Sequence, residues 1–268
     1  KYSDYYRVNT VKQYLSGNRR HRQLLNIAIQ DAQLIPTTEG MDMKLMVTQI
    51  MDGYSLEHTL PHYPLYKDMI ELIVQSGTYY DPTVIVGTGP RAEYYYWTRT
   101  DVHGNKKLNH FFPHDILDLQ TRRVPWFHES EFSYKEYAKT FKNIVNAGGK
   151  IGVGSHGEMQ GICYHWELWN IQSGGMSEMD ALRCATIIGS EAIGFSNDLG
   201  SIEEGKLADL ILLTKNPLDN IRNTNSIKYV MKNGILYDAD SLDEVWPMIK
   251  KLPPQYWHGK TPKHHDKY

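Results

Sequence analysis

The chain has 268 residues, of which 41% are hydrophobic, enough to bury the core of one large domain or of one and a half. Its 29 basic and 31 acidic residues give a net charge of -2, so composition provides no electrostatic case for a nucleic-acid partner or an anionic membrane surface. No apolar run approaches the roughly 20 residues that cross a bilayer, so we expect no membrane partner.

Predicted strands and helices alternate along the first part of the chain. The strands span residues 8–15, 34–40, 54–58, 80–86 and 150–156, and the helices between them residues 19–32, 45–51, 65–75 and 134–147. In the first helix, Leu24, Leu25, Ile27 and Ala28 are expected on or near one face. Such alternation is typical of βαβ units in a parallel sheet. Five strands are fewer than the eight of a TIM barrel and also fit an open doubly wound sheet, so both architectures stay open.

Residues 87–130 interrupt the alternation. They contain three prolines and many aromatic residues, among them the run Tyr94, Tyr95, Tyr96 and Trp97. This stretch is too long for an ordinary connection between two elements, and it therefore predicts an insertion or a lid.

The C-terminal part of the chain has a different pattern. The remaining predicted elements are helices at 164–173 and 177–189 and strands at 209–213, 228–231 and 235–237. The dipeptide Asn233-Gly234, which stands between the last two apolar runs, is a strong signal for a two-residue β-hairpin. We therefore expect a small β element near the C-terminus, followed by a mobile tail.

Polar and ionisable side chains stand in or at the ends of four predicted strands: Lys12, Glu39, His58 and His156. In a parallel α/β barrel, functional side chains project from the C-terminal ends of the strands. Imidazole and carboxylate are common ligands of zinc and similar metals, which polarise carbonyl groups and lower the pKa of water. The pattern predicts a hydrolytic metal site. The simpler interpretation, a Lys12–Glu39 ion pair without metal, stays open.

Longer motifs resemble those of one family. The segment GGMSEMDALRCATIIGSEAIGFSNDLGSIEEGKLADLILL at 174–213 resembles the closing signature of the amidohydrolase superfamily, and YVMKNGILYD at 229–238 resembles the last strands of its small β-sandwich domain. YSLEH at 54–58 resembles the sixth-strand SIEH motif of the imidazolonepropionase and Xaa-Pro dipeptidase-like branch, and TVKQY at 10–14 the fourth-strand segment with a carboxylated Lys. GVGSHGEMQGICYHWELW at 152–169 resembles exported amidohydrolases fused behind TolB-like repeats.

The resemblance implies an α/β fold, the C-terminal part of a (β/α)8 TIM-type barrel with strands 4 to 8. It implies a barrel portion at 1–195 with an insertion near 87–130, strands of a small β-sandwich domain at 196–250 and a mobile tail at 251–268. The first-strand HxH motif is absent, so the chain is expected to be a fragment whose missing N-terminal barrel strands come from the same or another chain. A homo-oligomer and a periplasmic or secreted location are also expected.

The resemblance further implies a metal-dependent hydrolase of C–N bonds in amide, peptide-like or cyclic amide substrates, acting through metal-activated water. The expected cofactor is a divalent metal, most simply one or two zinc ions, with Lys12 carboxylated. The implied metal ligands are Lys12, Glu39, His58 and His156; the catalytic residues are His156 and Glu158; the substrate-binding residues are His165, Glu167 and Tyr95. His156 stands where the family carries a catalytic Asp, and Glu39 near the place of a ligand His.

These two substitutions support an alternative function. The chain is then a catalytically altered binding or scaffold protein that keeps the amidohydrolase fold and contacts a partner through the aromatic residues of the 87–130 insertion.

Overall fold

The protein has a mixed α/β fold with two separate sheets. A computed structural model describes residues 8–15, 17–40, 42–58, 62–87, 89–122, 124–157 and 159–259. Within these ranges, helices alternate with and follow the strands of a five-stranded parallel sheet, and a four-stranded antiparallel sheet comes after them in the chain. None of the helices in the described ranges is long and apolar enough to cross a membrane.

The parallel sheet has its strands in the order in which they occur in the chain. They are β1 (Thr10–Tyr14), β2 (Ile35–Glu39), β3 (Ser55–Glu57), β4 (Tyr79–Asp81) and β5 (Lys150–Ile151). Glu39 is paired in register with Glu57, and Glu57 with Asp81. Since all the strands run in the same direction, these three carboxylates stand side by side at the C-terminal edge of the sheet.

Helices follow the strands, as the alternating pattern predicts. They are α1 (Arg19–Asp31), α2 (Met43–Met51), α3 (Lys67–Gln75), α4 (Ala92–Trp97), α5 (Lys106–Phe111), α6 (His114–Thr121), α7 (Tyr134–Asn146), α8 (Ile162–Gln172), α9 (Glu178–Arg183) and α10 (Gly189–Ala192), with a π-helical turn at Cys184–Ile188 before α10. Side chains of Asn18, Asp42 and Asn105 accept backbone N–H groups three residues ahead, which satisfies donors that a helix start leaves unpaired.

One face of the parallel sheet packs against the helices. Leu56, Tyr80 and Ile151, from three neighbouring strands, are almost completely buried together with Ile73 of α3 and Phe141 of α7. Because successive side chains of a strand point to opposite faces, the residues on either side of these core positions turn to the other face. Glu57 and Asp81 therefore lie on the face opposite the helices.

The 87–130 insertion contains three short helices, α4 to α6, instead of irregular chain. Tyr96 and Trp97 are buried in the core, where the Tyr96 ring stacks on Trp166 at 5.1 Å between ring centroids and Trp97 meets the same indole edge-on at 4.7 Å. These two aromatic residues pack the insertion onto α8, so they are not exposed for the partner contact that the scaffold alternative assigned to them.

The second sheet is an antiparallel meander. It comprises β6 (Leu210–Leu213), β7 (Ile227–Lys232), β8 (Ile235–Asp238) and β9 (Glu244–Trp246). Asn233 and Gly234 both have positive φ, 49° and 79°, as a two-residue hairpin turn requires, so the predicted hairpin is confirmed. β9 was not predicted. In residues 251–259, the described part of the predicted tail, the indole of Trp257 donates to the carbonyl of His110 at 3.0 Å.

Two predicted strands are shorter than the sequence pattern suggested. The strand predicted at 80–86 ends at Asp81, and Val84–Val86 form a 3-10 turn whose first two N–H groups bind a side-chain carboxylate of α8 instead of a neighbouring strand. The strand predicted at 150–156 ends at Ile151, so His156 lies in the loop beyond the hydrogen-bonded ladder.

The buried face of α1 also differs from the prediction. Leu24 and Ile27 are exposed, whereas Arg22, Asn26 and Ile29 are buried. The Asn26 side chain donates to the Asp52 carbonyl, and the Arg22 carbonyl accepts the hydroxyl of Tyr54 at 2.6 Å. These hydrogen bonds to the end of α2 offset the burial of polar groups and turn the apolar side chains outward.

Candidate functional site

The candidate site is a cluster of charged side chains at the C-terminal edge of the parallel sheet: Lys12, Glu39, Glu57 and His58. We refer to it as the sheet-end cluster. The ammonium of Lys12 lies 2.7 Å from Glu57 Oε2 and 3.0 Å from Glu39 Oε2. Three neighbouring strands supply these groups, which the parallel register brings to one place.

His58 follows the last residue of β3 and has a positive φ of 72°, a conformation that is uncommon for residues other than glycine. Its Nε2 lies 2.7 Å from Glu39 Oε2 and 3.2 Å from Lys12 Nζ, and its Nδ1 lies 2.8 Å from the hydroxyl of Thr83. A proton on Nδ1 donated to Thr83 leaves the Nε2 lone pair facing the cluster, the tautomer that a metal ligand needs.

The pKa of His58 is lowered. Burial is the largest cause, and the positive charge of Lys12 acts in the same direction, while Glu39 opposes both. The imidazole is therefore held in its neutral form at neutral pH, with a lone pair available for coordination.

Glu39 is buried in the middle of the cluster. Its Oε2 atom lies 3.0 Å from Lys12 Nζ and 2.7 Å from His58 Nε2. A buried carboxylate oxygen beside a neutral imidazole has the donor chemistry that zinc and similar cations bind.

Lys12 is protonated in this arrangement. Burial lowers the pKa of the amine, but the Glu57 and Glu39 carboxylates more than offset this, and the pKa is raised. Carboxylation of a lysine requires the neutral amine, so the two carboxylates oppose that modification while they pair with the ammonium.

Glu57 and Asp81 extend the site beyond the predicted ligand set. Glu57 Oε1 accepts the hydroxyl of Thr37 at 2.5 Å, while its Oε2 contacts Lys12. Asp81, on the next strand, accepts the N–H of Gly154 at 2.8 Å. The strand-end rule that selected Glu39 applies equally to YYD at the end of β4, so Asp81 was detectable from the sequence once the strand ended at that residue.

The environment of Asp81 favours its protonated form. Burial raises its pKa to about 6, the negative charge of Glu57 acts in the same direction, and the N–H of Gly154 opposes both. The Gly154 backbone approaches so closely that a Cβ atom there would lie 2.0 Å from Asp81 Oδ2. A side chain at position 154 would therefore displace the Asp81 carboxyl.

His156 stands beside the cluster. Its ring is 5.3 Å from the ring of His58, centroid to centroid, in an edge-on arrangement, and its side chain is exposed. The structure thus brings the four predicted metal ligands together, three in direct contact and His156 next to them. Glu158, the second predicted catalytic residue, lies outside the described residues.

His165 occupies a different place from the one expected. It lies on α8 with Nδ1 3.1 Å from the hydroxyl of Thr224, and burial lowers its pKa to about 4. The expectation was that it lines the mouth of the site. The structure instead places it between α8 and the 3-10 turn Ile221–Asn225, because α8 is packed on most of its surface.

Glu167 likewise departs from the predicted substrate-binding position. Its carboxylate is completely buried and accepts the N–H groups of Val84 at 2.6 Å and Ile85 at 2.7 Å. Burial raises its pKa to about 8, and the two N–H groups oppose this shift. A carboxylate held in the core by two backbone donors anchors the turn after β4 and does not reach a ligand from there.

Tyr95, the third predicted substrate-binding residue, is half-buried in the insertion. Its ring packs edge-on against Phe132 at 5.6 Å, and the guanidinium of Arg99 lies 3.9 Å above its centroid. These contacts place Tyr95 in an aromatic group of the insertion.

A cavity of about 130 Å³ lies on the same face of the sheet as the cluster. Thr37, Glu57, Tyr79 and Asp81 of the strands line it, together with Ile193. The cluster thus borders a small space with hydroxyl and carboxyl groups on its wall.

Comparison with known proteins identifies the family. A profile of the amidohydrolase family matches residues 47–236, and the chain therefore belongs to that family. The superfamily resemblance read from the motifs is confirmed; the fusion to TolB-like repeats stays a prediction. The matched residues include Glu57, His58, Asp81 and His156.

Among curated proteins, ochratoxinase from Aspergillus niger is 28% identical over 110 residues, which are 40% of this chain and 23% of that protein. Similar solved structures include a Xaa-Pro dipeptidase with bound methionine (TM-score 0.61, 23% identity, 86% of this chain and 54% of that chain). Phenylurea hydrolase B is also similar (TM-score 0.61, 20% identity, 89% of this chain and 56% of that chain). The chain spans about half the length of these structures, and the likeness concerns the fold.

Proposed function

We propose that this chain carries part of the active site of a metal-dependent hydrolase that cleaves a C–N bond, and that the sheet-end cluster is that part. The observation that supports this best is the convergence of Glu39, Glu57 and His58 at the C-terminal edge of a parallel sheet. Functional groups of parallel α/β folds lie at this edge. Family membership makes a hydrolase the first choice.

The proposed substrate is a small or peptide-like molecule with an amide bond. The names of two similar structures refer to a dipeptide and to a phenylurea, compounds that contain a C–N bond to a carbonyl carbon. We propose the same class of bond, a C–N bond to a carbonyl carbon, as the target of the present chain. This class includes open-chain and cyclic amides.

The proposed architecture is the later half of a (β/α)8 barrel, with β1 to β5 as strands 4 to 8. The strands are parallel and paired in chain order, as barrel strands are. Residues 1–195 form the barrel portion in this proposal, and 196–250 the small β domain. Three more strands complete such a barrel, and we propose that they come from the same or another chain.

The donor set of the cluster fits a divalent metal ion such as zinc. The neutral imidazole of His58 and the buried Glu39 carboxylate that faces it are the two groups best suited to hold it, and Glu57 and His156 complete the set. A bound ion of this kind polarises a carbonyl group and lowers the pKa of water.

The other residues of the site have separate tasks in this proposal. Thr83 holds the ring of His58 in place through Nδ1. His156 is exposed, and its ring lies 5.3 Å from the ring of His58, on the solvent side of the cluster. Asp81, with its pKa raised to about 6, is a group that gains or loses a proton near neutral pH.

Removal of His58 tests the proposal. We expect His58→Ala to lose metal and amide-hydrolase activity together, as measured by elemental analysis and by release of amino acid from a panel of dipeptides. His62→Ala is the matched control, because His62 is an exposed histidine only four residues away. Metal content that is unchanged in His58→Ala would remove the cluster from consideration as the metal site.

The second candidate is a binding protein without catalysis. The direct Lys12 contacts to Glu39 and Glu57 favour it, because an ammonium between two carboxylates neutralises them without any metal. A folded protein whose zinc, manganese or iron content, after purification without chelators and after addition of the metal, is the same in His58→Ala as in the wild type supports this candidate instead.

A further inference from the structure

The insertion contains a second group of metal-ligand residues, separate from the sheet-end cluster. His103 lies in the turn between α4 and α5, His114 is the first residue of α6, and Asp118 follows one helical turn later. One ligand atom from each of the three lies within 4.8 Å of the other two. None of the three belongs to the site proposed above.

The distances within this group do not fit hydrogen bonds. His103 Nε2 is 3.7 Å and His114 Nε2 is 3.5 Å from the same oxygen, Asp118 Oδ1. An N–H···O hydrogen bond is shorter, about 2.7–3.2 Å. Two imidazole nitrogens thus face one carboxylate oxygen at a distance where neither donates effectively to it.

The same distances fit the edges of a coordination tetrahedron. Zinc bonds to nitrogen and oxygen of about 2.0–2.2 Å place neighbouring ligand atoms roughly 3.3–3.5 Å apart. The separations of 3.5 and 3.7 Å are close to this spacing. His114 and Asp118 stand four residues apart on one helix, a spacing that brings both side chains to one face.

The other oxygen of Asp118 is already oriented. Oδ2 accepts from the guanidinium of Arg122 at 3.2 Å, which leaves Oδ1 towards the two histidines. Contacts of this kind, made to the far side of a ligand, fix the orientation of metal-binding carboxylates.

We propose that His103, His114 and Asp118 form a zinc site whose fourth ligand is water, and that the ion ties the turn before α5 to α6. Zinc at this site stabilises the conformation of the insertion, because its ligands come from the turn before α5 and from α6, which are separate in the chain. All three side chains are at least partly exposed, which gives the ion access from solvent.

Zinc content tests this inference. The protein is freed of metal with a chelator, reloaded with zinc sulfate at pH 7.5, desalted and measured by elemental analysis. We expect His114→Ala and Asp118→Asn each to hold one zinc per chain less than the wild type. His128→Ala is the matched control, an exposed histidine of the same insertion outside the group, and it should retain the wild-type content.

Thermal unfolding provides a second readout that does not depend on counting ions. Zinc that binds the folded chain raises its Tm, and the part of this increase due to the insertion site should be lost in His114→Ala but kept in His128→Ala. Far-UV circular dichroism of the metal-free variants verifies that each is folded.

The outcomes separate this inference from the proposed function. An unchanged zinc content and zinc-induced Tm shift in folded His114→Ala would overturn the inference and leave an exposed ion-pair group only. If the sheet-end cluster binds no metal, the wild type holds the insertion zinc alone, and His58→Ala retains it. Where both sites bind, the losses in His58→Ala and His114→Ala are independent and additive.

Discussion

Two carboxylates in this chain, Glu39 and Glu167, are buried in opposite kinds of surroundings. Glu39 faces Lys12 and His58, side chains that border an open face of the sheet. Glu167 faces the backbone N–H groups of Val84 and Ile85 within the core. The partners of Glu39 can move, gain or lose protons and give way to a metal ion, whereas backbone donors remain in place while the fold persists.

The partners of the two carboxylates separate a functional group from a structural one. Burial alone does not distinguish them, and neither does a raised pKa, since burial raises the pKa of Glu167 in the core to about 8 and that of Asp81 beside the cluster to about 6. The two carboxylates differ in whether their partners are side chains that a ligand can displace and in whether a ligand can reach the carboxylate.

The region around Glu167 should behave as a packed core. Trp166 is almost completely buried and contacts the rings of Tyr96 and Trp97. We expect Trp166→Ala to lower the free energy of unfolding by about 3–5 kcal/mol, because the side chain leaves a cavity among rigid rings. Urea denaturation measures this loss.

Trp126→Ala is the matched control for that variant, since Trp126 is 75% exposed. Its unfolding free energy should change by no more than about 0.5 kcal/mol. Equal effects of the two substitutions would contradict the assignment of α8 to the core.

Replacement of Glu167 should have a smaller effect that depends on pH. Glu167→Gln keeps one acceptor but points an amide NH2 at one of the two backbone N–H groups, at a cost of about 1–3 kcal/mol near pH 5. The carboxyl has an ordinary pKa of 4.5 and a folded-state pKa of about 8. A raised carboxyl pKa contributes stability that is present below pH 4.5 and is lost as pH rises through 8.

The wild type should therefore lose stability relative to Glu167→Gln between pH 4.5 and 8, and the gap between them should narrow by pH 9. Urea denaturation at pH 5, 7 and 9 measures the gap. Glu204→Gln, an exposed glutamate, is the control and should show no such trend. If the difference in unfolding free energy between the wild type and Glu167→Gln stays constant or increases with pH, Glu167 is ionised over the whole range from pH 5 to 9.

Substitution of Lys12 in the sheet-end cluster should change the free energy of unfolding least. Lys12 is half-exposed, so solvent screens its contacts with Glu39 and Glu57. We expect Lys12→Met to lower the unfolding free energy by less than about 1 kcal/mol in metal-free protein. Lys44→Met, at an exposed lysine of α2, is the control.

A loss in Lys12→Met as large as that in Glu167→Gln would contradict the contrast between the two regions. The zinc content of Lys12→Met distinguishes two roles of this lysine. Loss of one zinc per chain identifies Lys12 as a ligand in its carboxylated form. Unchanged zinc content identifies it as an ammonium that neutralises the two carboxylates. The raised pKa of Lys12 favours the ammonium in the metal-free chain.

Much of the local structure followed from the sequence. The positions of β1 to β4, of α1 to α3 and of α7 are in the alternating pattern, because burial against one layer imposes a period on apolar residues. Asn233-Gly234 predicted its hairpin because both residues tolerate positive φ. The motifs at 174–213 and 54–58 also indicate the amidohydrolase family from the sequence alone.

The type of most elements, the family and the four polar residues Lys12, Glu39, His58 and His156 could thus be predicted from the sequence. The first three of these meet in the sheet-end cluster, and His156 lies beside it. Tertiary packing determined which other polar residues lie close to them. It drew Asp81 into the site, turned Leu24 of α1 to solvent and buried Glu167 in the core. The physical reason is that periodicity reports which face of an element is apolar, whereas strand register and helix packing decide which distant side chains meet.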